Sequence, residues 1–324
     1  MRARIALAAA LCFGCDDGGS APDASAPDAA AFVDGASMGD AGAGGPCHAF
    51  EGPTELGRID DPSLTELSGL AASRRHPGLF YAHNDSGDVA RVYVLDASAS
   101  VVGRIALTGA AHVDYEDIAV GPGPDGEPWV HVGDVGDNAA RDGRGTPRDA
   151  IAVHRFPEPD DPPRGDLEVG VDTLTLRYPE TAHDCEALAV EADGSLLLLT
   201  KEDVGPSVLF RASPSSPDVL DSLTTLDVGG PDVPGSRNVT AMDLSPGGAL
   251  LVRSYNRVHL FPREEGERWA DALARPPVPV PARMERQGEA IAWRADGRAY
   301  VTASEGEGAP VYLYEASTPG CVAP

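Results

Sequence analysis

The chain predicts an all-β fold: a five-bladed β-propeller of four-stranded blades whose ring is closed by an N-terminal strand, with six blades as the alternative. Three observations lead there. Short apolar runs alternate with Gly- and Pro-rich turns, and only Glu264 to Ala274 looks helical. One strand-like segment recurs five times. A spare strand near the N-terminus matches a missing one at the C-terminus.

The recurring segment is "LSGLAAS" from Leu67, "YEDIAVG" from Tyr115, "CEALAVE" from Cys185, "VTAMDLS" from Val239 and "GEAIAWR" from Gly288. Each is followed by a second strand: "LFYAHND", "PWVHVGD", "SLLLLTK", "ALLVRSY" and "AYVTASE". A third comes next: "RVYVLDA", "IAVHRFP", "SVLFRAS", "RVHLFPR" and "PVYLYEA". Four units add a fourth strand, "VVGRIAL", "DTLTLRY", "LTTLDVG" and "PVPVPA".

Anchored on Ser68, Glu116, Glu186, Thr240 and Glu289, the units are spaced by 48, 70, 54 and 49 residues. Four strands at a period of about 40 to 50 residues are the mark of a propeller. The longest unit carries an insertion, "GDNAARDGRGTPRD", between its second and third strands. The fifth unit runs out of chain at Cys321, and "TELGRID" from Thr54 is expected to complete it. Cys47 and Cys321 flank this whole region, and their pairing would lock the closure in an oxidising compartment.

Ahead of the propeller, residues 47–324, the sequence reads as an export signal and a tether. Arg2 and Arg4 precede an apolar run from Ile5 to Phe13 that ends in Gly14-Cys15, too short to span a bilayer. A small residue before a cysteine is the lipoprotein cleavage pattern, so Cys15 is a candidate for lipidation, although Cys12 stands where Leu is usual. Ordinary secretion without lipid is the alternative. Residues 16–46 hold Ala, Asp, Gly, Ser and Pro and almost nothing large, so they read as a disordered tether. The expected location is the cell envelope, lipid-anchored and facing the periplasm or the surface.

A net charge of −26 argues against nucleic acid and anionic membrane surfaces as partners. The expected partner is a small anionic molecule or a protein ligand at the tunnel mouth, with the chain a monomer and any membrane contact made through Cys15.

In a propeller the first strands line the tunnel in one direction, so Ser68, Glu116, Glu186, Thr240 and Glu289 should form a ring. Three converging carboxylates need a counter-charge to stay ionised. The donors are all oxygen, which selects a hard cation, and a flexible set of oxygens suits Ca²⁺ better than Mg²⁺. The alternative is that these positions merely end a strand and reach water.

At this point the sequence resembles the calcium-activated nucleotidases, or soluble apyrases, which are five-bladed propellers with one Ca²⁺ in the tunnel. Their ring is Ser, Glu, Glu, Ser, Glu; here Ser68, Glu116, Glu186 and Glu289 match and Thr240 keeps the hydroxyl of the fourth Ser. The family's Asp-Arg-Thr-Gly turn is similar to Asn84-Asp85-Ser86-Gly87, but the arginine is missing. The resemblance implies calcium and hydrolysis of a phosphoanhydride or phosphoester.

Pairing of second strands with first strands should bring Asn84, Asp85, Asp134, Asp137, Lys201, Arg253 and Glu305 to the same mouth. Of these, Asp85, Asp134, Asp137, Lys201 and Arg253 are the candidate catalytic residues. Lys201, the only lysine, and Arg253 would hold a phosphate or carboxylate, and Asp134 or Asp137 would act as general base. Each cation paired with a neighbouring carboxylate, Lys201 with Glu202 or Asp203 for example, is the alternative. His112, Asp114, His183 and Asp184 should lie on the rim, and Cys185 should face the packing between blades. A non-catalytic binding or scaffold propeller with a structural calcium is the competing function. A calcium lactonase of the six-bladed kind ranks last, because those sites resemble Asn- and Asp-rich rings and this one is dominated by Glu.

Overall fold

The computed structural model describes residues 46–229 and 235–321. The strands form five sheets around one axis, and five blades are the outcome rather than six. Blade 1 comprises Leu67–Ala72, Phe80–Asn84, Arg91–Leu95 and Val101–Thr108; blade 2 comprises Tyr115–Pro122, Pro128–Asp134, Ile151–Pro157 and Asp172–Leu176. Blade 3 comprises Cys185–Val190, Leu196–Thr200, Ser207–Ser213 and Ser216–Leu226. Blade 4 comprises Val239–Leu244, Leu250–Ser254, Arg257–Phe261 and the short Val278–Pro279. Blade 5 takes Gly288–Trp293, Ala299–Ser304 and Pro310–Ala316, and its outer strand is Phe50–Arg58 from the N-terminal side.

The expected closure is therefore present, and a Cys47–Cys321 disulfide fastens it, with the Cα atoms 5.1 Å apart. The export signal, Cys12, Cys15 and residues 16–45 of the tether lie outside the described residues. No helix among the described residues is long and apolar enough to cross a membrane.

Five apolar clusters hold the ring together, one in each gap between neighbouring blades. Cys185 is buried in the gap between blades 2 and 3, as its register required. The gap between blades 4 and 5 contains the disulfide, Trp293, and Tyr300 stacked on Tyr314 at 4.7 Å.

The first strands share a pattern, ring residue, small, large, small, and in all but blade 1, where Ala72 follows, large again. Five strands converging on an axis leave room for little more than a methyl group at the small positions. At Gly69 even that is too much: a Cβ there would collide with His83 Nε2 and stand 2.9 Å from Ile118 N. Two aspartates break the pattern. The buried Asp117 accepts backbone N–H groups from Ile118 (2.9 Å), Leu188 (2.8 Å) and Met242 (3.2 Å), which belong to blades 2, 3 and 4. Asp243 accepts from Leu244 (2.8 Å) and from Trp293 of blade 5 (2.7 Å). A carboxylate that reaches three blades must lie near the axis, so Asp117 and Asp243 fill the tunnel midway.

One strand is additional to the expected set. Gly165–Gly170 pairs in parallel with Val101–Thr108 and extends blade 1 to five strands. The chain thus leaves blade 2 after its third strand, edges blade 1, and returns as the fourth strand of blade 2. The helical patch is realised as Trp269–Leu273, whose Trp269 is packed between blades 3 and 4. The expected fourth strand of blade 4 shortens to Val278–Pro279, in a segment where prolines supply no N–H to a ladder.

Candidate metal centre at the tunnel mouth

All five ring residues sit at the same backbone irregularity. The ladders between first and second strands skip one residue between Leu67 and Gly69, Tyr115 and Asp117, Cys185 and Ala187, Val239 and Ala241, and Gly288 and Ala290. The residues skipped are Ser68, Glu116, Glu186, Thr240 and Glu289. A bulge leaves its extra residue out of the ladder and re-aims the side chain. Repeated five times, it presents five oxygen-bearing side chains at one level, which we call the upper mouth because the first strands begin there.

All five are buried. Ser68 Oγ donates to the Glu116 carbonyl oxygen at 2.6 Å, and Thr240 Oγ1 donates to the Gly288 carbonyl oxygen at 2.8 Å. The two hydroxyls therefore tie blade 1 to blade 2 and blade 4 to blade 5, while their lone pairs stay available. The glutamates are unevenly satisfied. Glu186 forms an ion pair with Lys201 Nζ at 2.8 Å, whereas Glu289 Oε2 is buried without a hydrogen-bond partner among the described residues.

A second tier lies two residues earlier in the chain, just before each first strand: Glu66, Asp114, Asp184, Asn238 and Gln287, every one with an oxygen donor. Asp114 and Asp184 join the ring chemically. The carboxylates of Asp85, Asp114 and Glu116 have oxygens within 4.8 Å of one another, and so do those of Glu116, Asp184 and Glu186. Gly136 makes this possible, since a Cβ there would collide with Glu116 Oε1 and stand 2.5 Å from Asp114 Oδ2.

Burial and mutual repulsion raise these groups. Glu116 is held well above the usual carboxylate range by burial and by Glu186, Asp85 and Asp114. Burial pushes Glu289 up to about 8, against the pull of Lys201. Glu186 rises to about 7 through burial, again opposed by Lys201. Asp114 rises to about 7 through burial and the charges of Asp85 and Asp184. Lys201 is raised above its ordinary value: burial opposes this, but Glu186 and Glu289 hold the proton on.

The candidate catalytic residues occupy different surroundings. Asp85 is half-buried and belongs to the group around Glu116. Asp134 accepts from the backbone N–H groups of Val113 and Asp114, both at 3.2 Å, and pairs with Arg148 at 2.8 Å. Asp137 caps the helix Asn138–Asp142, accepting from Ala140 N at 3.1 Å and from Arg148 N at 2.7 Å. Lys201 points into the ring, its Nζ lying 4.8 Å from the Tyr255 ring centroid. Arg253 is buried against Glu285 and donates to the Ala290 carbonyl oxygen at 2.7 Å. The two cations are thus both ion-paired, Lys201 with Glu186 rather than with Glu202 or Asp203. Glu305 lies at the same level as Lys201, its N–H bonded to the Gln287 carbonyl.

His112 is bonded to the Asp88 carbonyl at 2.6 Å and packs on Tyr115, and His183 faces Glu202 at 3.4 Å; neither joins the carboxylate groups. Sequence reasoning missed Arg141, whose Nε lies 3.1 Å from Asp184 Oδ2, and also Arg148, Gly136, Tyr255 and the axial Asp117 and Asp243. Arg141, Arg148 and Gly136 come from the insertion of blade 2, and the one clue lay outside it: Asp-x-Glu occurs at 114–116 and again at 184–186.

Could these residues hold a cation? The donors are oxygens, Glu289 Oε2 is buried with no hydrogen-bond partner among the described residues, and a glycine keeps the space beside two carboxylates open. They fit a hard divalent ion.

No family model matches the chain, and no curated protein does. Among solved structures it is similar to a PQQ-bound aldose sugar dehydrogenase from Streptomyces coelicolor, with 13% identity over 83% of this chain and 99% of that one and a TM-score of 0.46. A luciferin-regenerating enzyme aligns at 11% identity over 82% and 96% of the two chains, with a TM-score of 0.47. A gluconolactonase from Xanthomonas campestris aligns at 15% identity over 86% and 98%, with a TM-score of 0.42. The blades and the ring described above rest on this chain's own ladders.

Proposed function

We propose that this chain is a calcium-binding propeller with the ion at its upper mouth, a centre similar to that of the calcium-activated nucleotidases. One observation carries the reading: two groups of three carboxylates share Glu116 and crowd within 4.8 Å. The ring alone sets three glutamates against one lysine, −3 + 1 = −2, the charge a divalent cation balances. Glu116, Asp85 and Asp114 would hold the ion on the side away from Lys201. Glu289, Ser68 and Thr240 would complete the ring, with Glu186 shared between Lys201 and the ion.

Bound there, calcium would supply positive charge able to polarise a phosphate or carboxylate oxygen. The protein's own groups favour binding over hydrolysis. Arg253 is engaged by Glu285, Asp134 by Arg148 and two backbone N–H groups, and Asp137 by a helix start, so Asp85 and Lys201 are the candidate residues nearest a bound ligand. Hydrolysis of a phosphoanhydride or phosphoester is the second reading, supported by the match of Ser68, Glu116, Glu186 and Glu289 to the nucleotidase pattern, with Thr240 in place of its fourth Ser. The disulfide indicates an oxidising compartment. We propose export with Cys15 lipidated, the monomeric propeller displayed on its tether.

Calorimetric titration of the full chain with calcium tests the main reading. Saturable binding is expected, stronger than magnesium and weakened at least about a hundredfold, roughly 2.7 kcal/mol, in Glu116→Gln. Absence of calcium binding would remove the reading. Phosphate release from nucleotides and phosphoesters in calcium would promote the hydrolase over the binding propeller.

A further inference from the structure

The first strands end at the opposite face, where a cavity of about 780 Å³ opens on the axis. Three arginines line it: Arg74 from blade 1, Arg211 from blade 3 and Arg263 from blade 4. Two of them are fixed by one carboxylate. Glu191, which is itself buried, pairs with Arg211 Nε at 2.9 Å and Arg263 Nη1 at 3.1 Å and accepts from Trp269 Nε1 at 3.1 Å. Arg211 also pairs with Asp193 at 2.6 Å, and Arg263 lies 4.2 Å over the Trp269 ring.

Arg74 differs. Its backbone N–H is anchored to the buried Glu158 at 3.2 Å, but its guanidinium is in no ion pair among the described residues. It reaches across the axis and makes one long hydrogen bond, 3.4 Å, to the Leu244 carbonyl oxygen. Burial raises the Asp243 carboxyl and Arg74 opposes that rise through space, while the carboxylate takes its hydrogen bonds from two backbone N–H groups instead of the guanidinium. Arg211 and Arg263 are thus tied to Glu191 and Asp193 by direct contact, whereas Arg74 is offset only through space by Asp243, so its other donors stay free at the axial end. Glu264 and Glu265 also line the cavity but are exposed, where solvent weakens their effect.

We propose that this lower cavity is a binding site for a small ligand bearing a carboxylate or phosphate, with Arg74 as its anchor. A guanidinium presents a planar fork of donors that matches such an oxyanion on two oxygens at once. Arg211 and Arg263 flank the site as fixed positive charge. The site is separate from the calcium centre, because Asp117 and Asp243 fill the tunnel between them.

Calorimetric titration of the full chain with inorganic phosphate, and separately with succinate, tests the assignment with chelator present throughout, so that a ligand held on calcium at the upper mouth does not contribute. Saturable binding of at least one probe is expected, weakened about tenfold or more in Arg74→Gln and several-fold in Arg74→Lys, which keeps the charge but not the fork. The two probes distinguish phosphate from carboxylate. Absence of binding by both, or equal binding by Arg74→Gln and the native chain, overturns the proposal. Should Arg74→Gln not fold, Arg74→Lys decides alone, and native-like affinity in it counts against the site.

Discussion

The same five strands begin among carboxylates and end beside arginines. At the upper mouth Asp85, Asp114, Glu116, Asp184, Glu186 and Glu289 surround one lysine. At the lower mouth Arg74, Arg211 and Arg263 surround one buried glutamate. The contrast has a backbone cause. At the upper end a bulge takes one residue per blade out of the ladder and aims it inward, so the blades contribute equivalent side chains. At the lower end the ladders stay regular into the hairpin turns, and the charged groups come from whichever turn or third strand reaches the axis. The upper site is a ring, whereas the lower one is an assembly of unlike parts.

What separates the two ends is the most sensitive point of the molecule. Asp117→Ala leaves three buried N–H groups without their acceptor, each costing about 1–3 kcal/mol, so a loss of at least about 3 kcal/mol is expected in urea unfolding. A near-neutral result would mean that the aspartate does not divide the tunnel.

The next largest effect distinguishes the mouths by pH. Carboxylates whose folded pKa is raised bind more protons folded than unfolded, so their protonation stabilises the folded chain at low pH. That contribution is lost as pH rises from the ordinary value of 4.5 through the raised values, about 7 for Glu186 and about 8 for Glu289. Without calcium, the melting temperature should fall across that window; with saturating calcium, which favours the ionised carboxylates, the fall should flatten. A melting temperature that rises with pH in chelator would contradict the clustered carboxylates.

Gly136→Ala should disable the upper mouth alone. Its methyl group would meet Glu116 and Asp114, and calcium affinity is expected to drop about a hundredfold, roughly 2.7 kcal/mol, while phosphate titration at the lower cavity is unchanged. Loss of both would show that the mouths are coupled. The smallest effect is a gain. Lys201→Met removes the ammonium that competes for Glu186, so calcium should bind about tenfold more tightly, roughly 1.4 kcal/mol, although the calcium-free chain melts lower. Weaker calcium binding in that variant would mean that the lysine supports the ion instead of competing with it.

Much of the upper mouth was legible in the sequence because a repeat preserves register: five anchors chosen by aligning strands fall on five equivalent bulges. The same logic located the closing strand and the disulfide partners, since a ring with one blade short must borrow from its other end. The ion pairs were not legible. Glu285 meets Arg253 only because the segment before blade 5 brings it between blades 4 and 5, where it also accepts from Thr302, and Glu186 meets Lys201 by facing it across a bulge rather than by adjacency in sequence. Arg141 and Arg148 sit in an insertion whose composition reads as a loop, with nothing to say that it folds back toward Asp184 and Asp134. The parallel strand Gly165–Gly170 does alternate, Asp166-Leu167-Glu168-Val169, but it is short, mostly exposed and bounded by glycines, and a four-strand repeat reserves no place for it. Arg74 was invisible for a related reason: its role depends on which carboxylates it fails to meet.

Anomalous diffraction from crystals of the chain grown with calcium tests the central claim most directly. The account predicts one strong peak at the upper mouth, coordinated by Glu116 together with Asp85 or Asp114. A mouth without a peak, its glutamates held by Lys201 and protons alone, would contradict it.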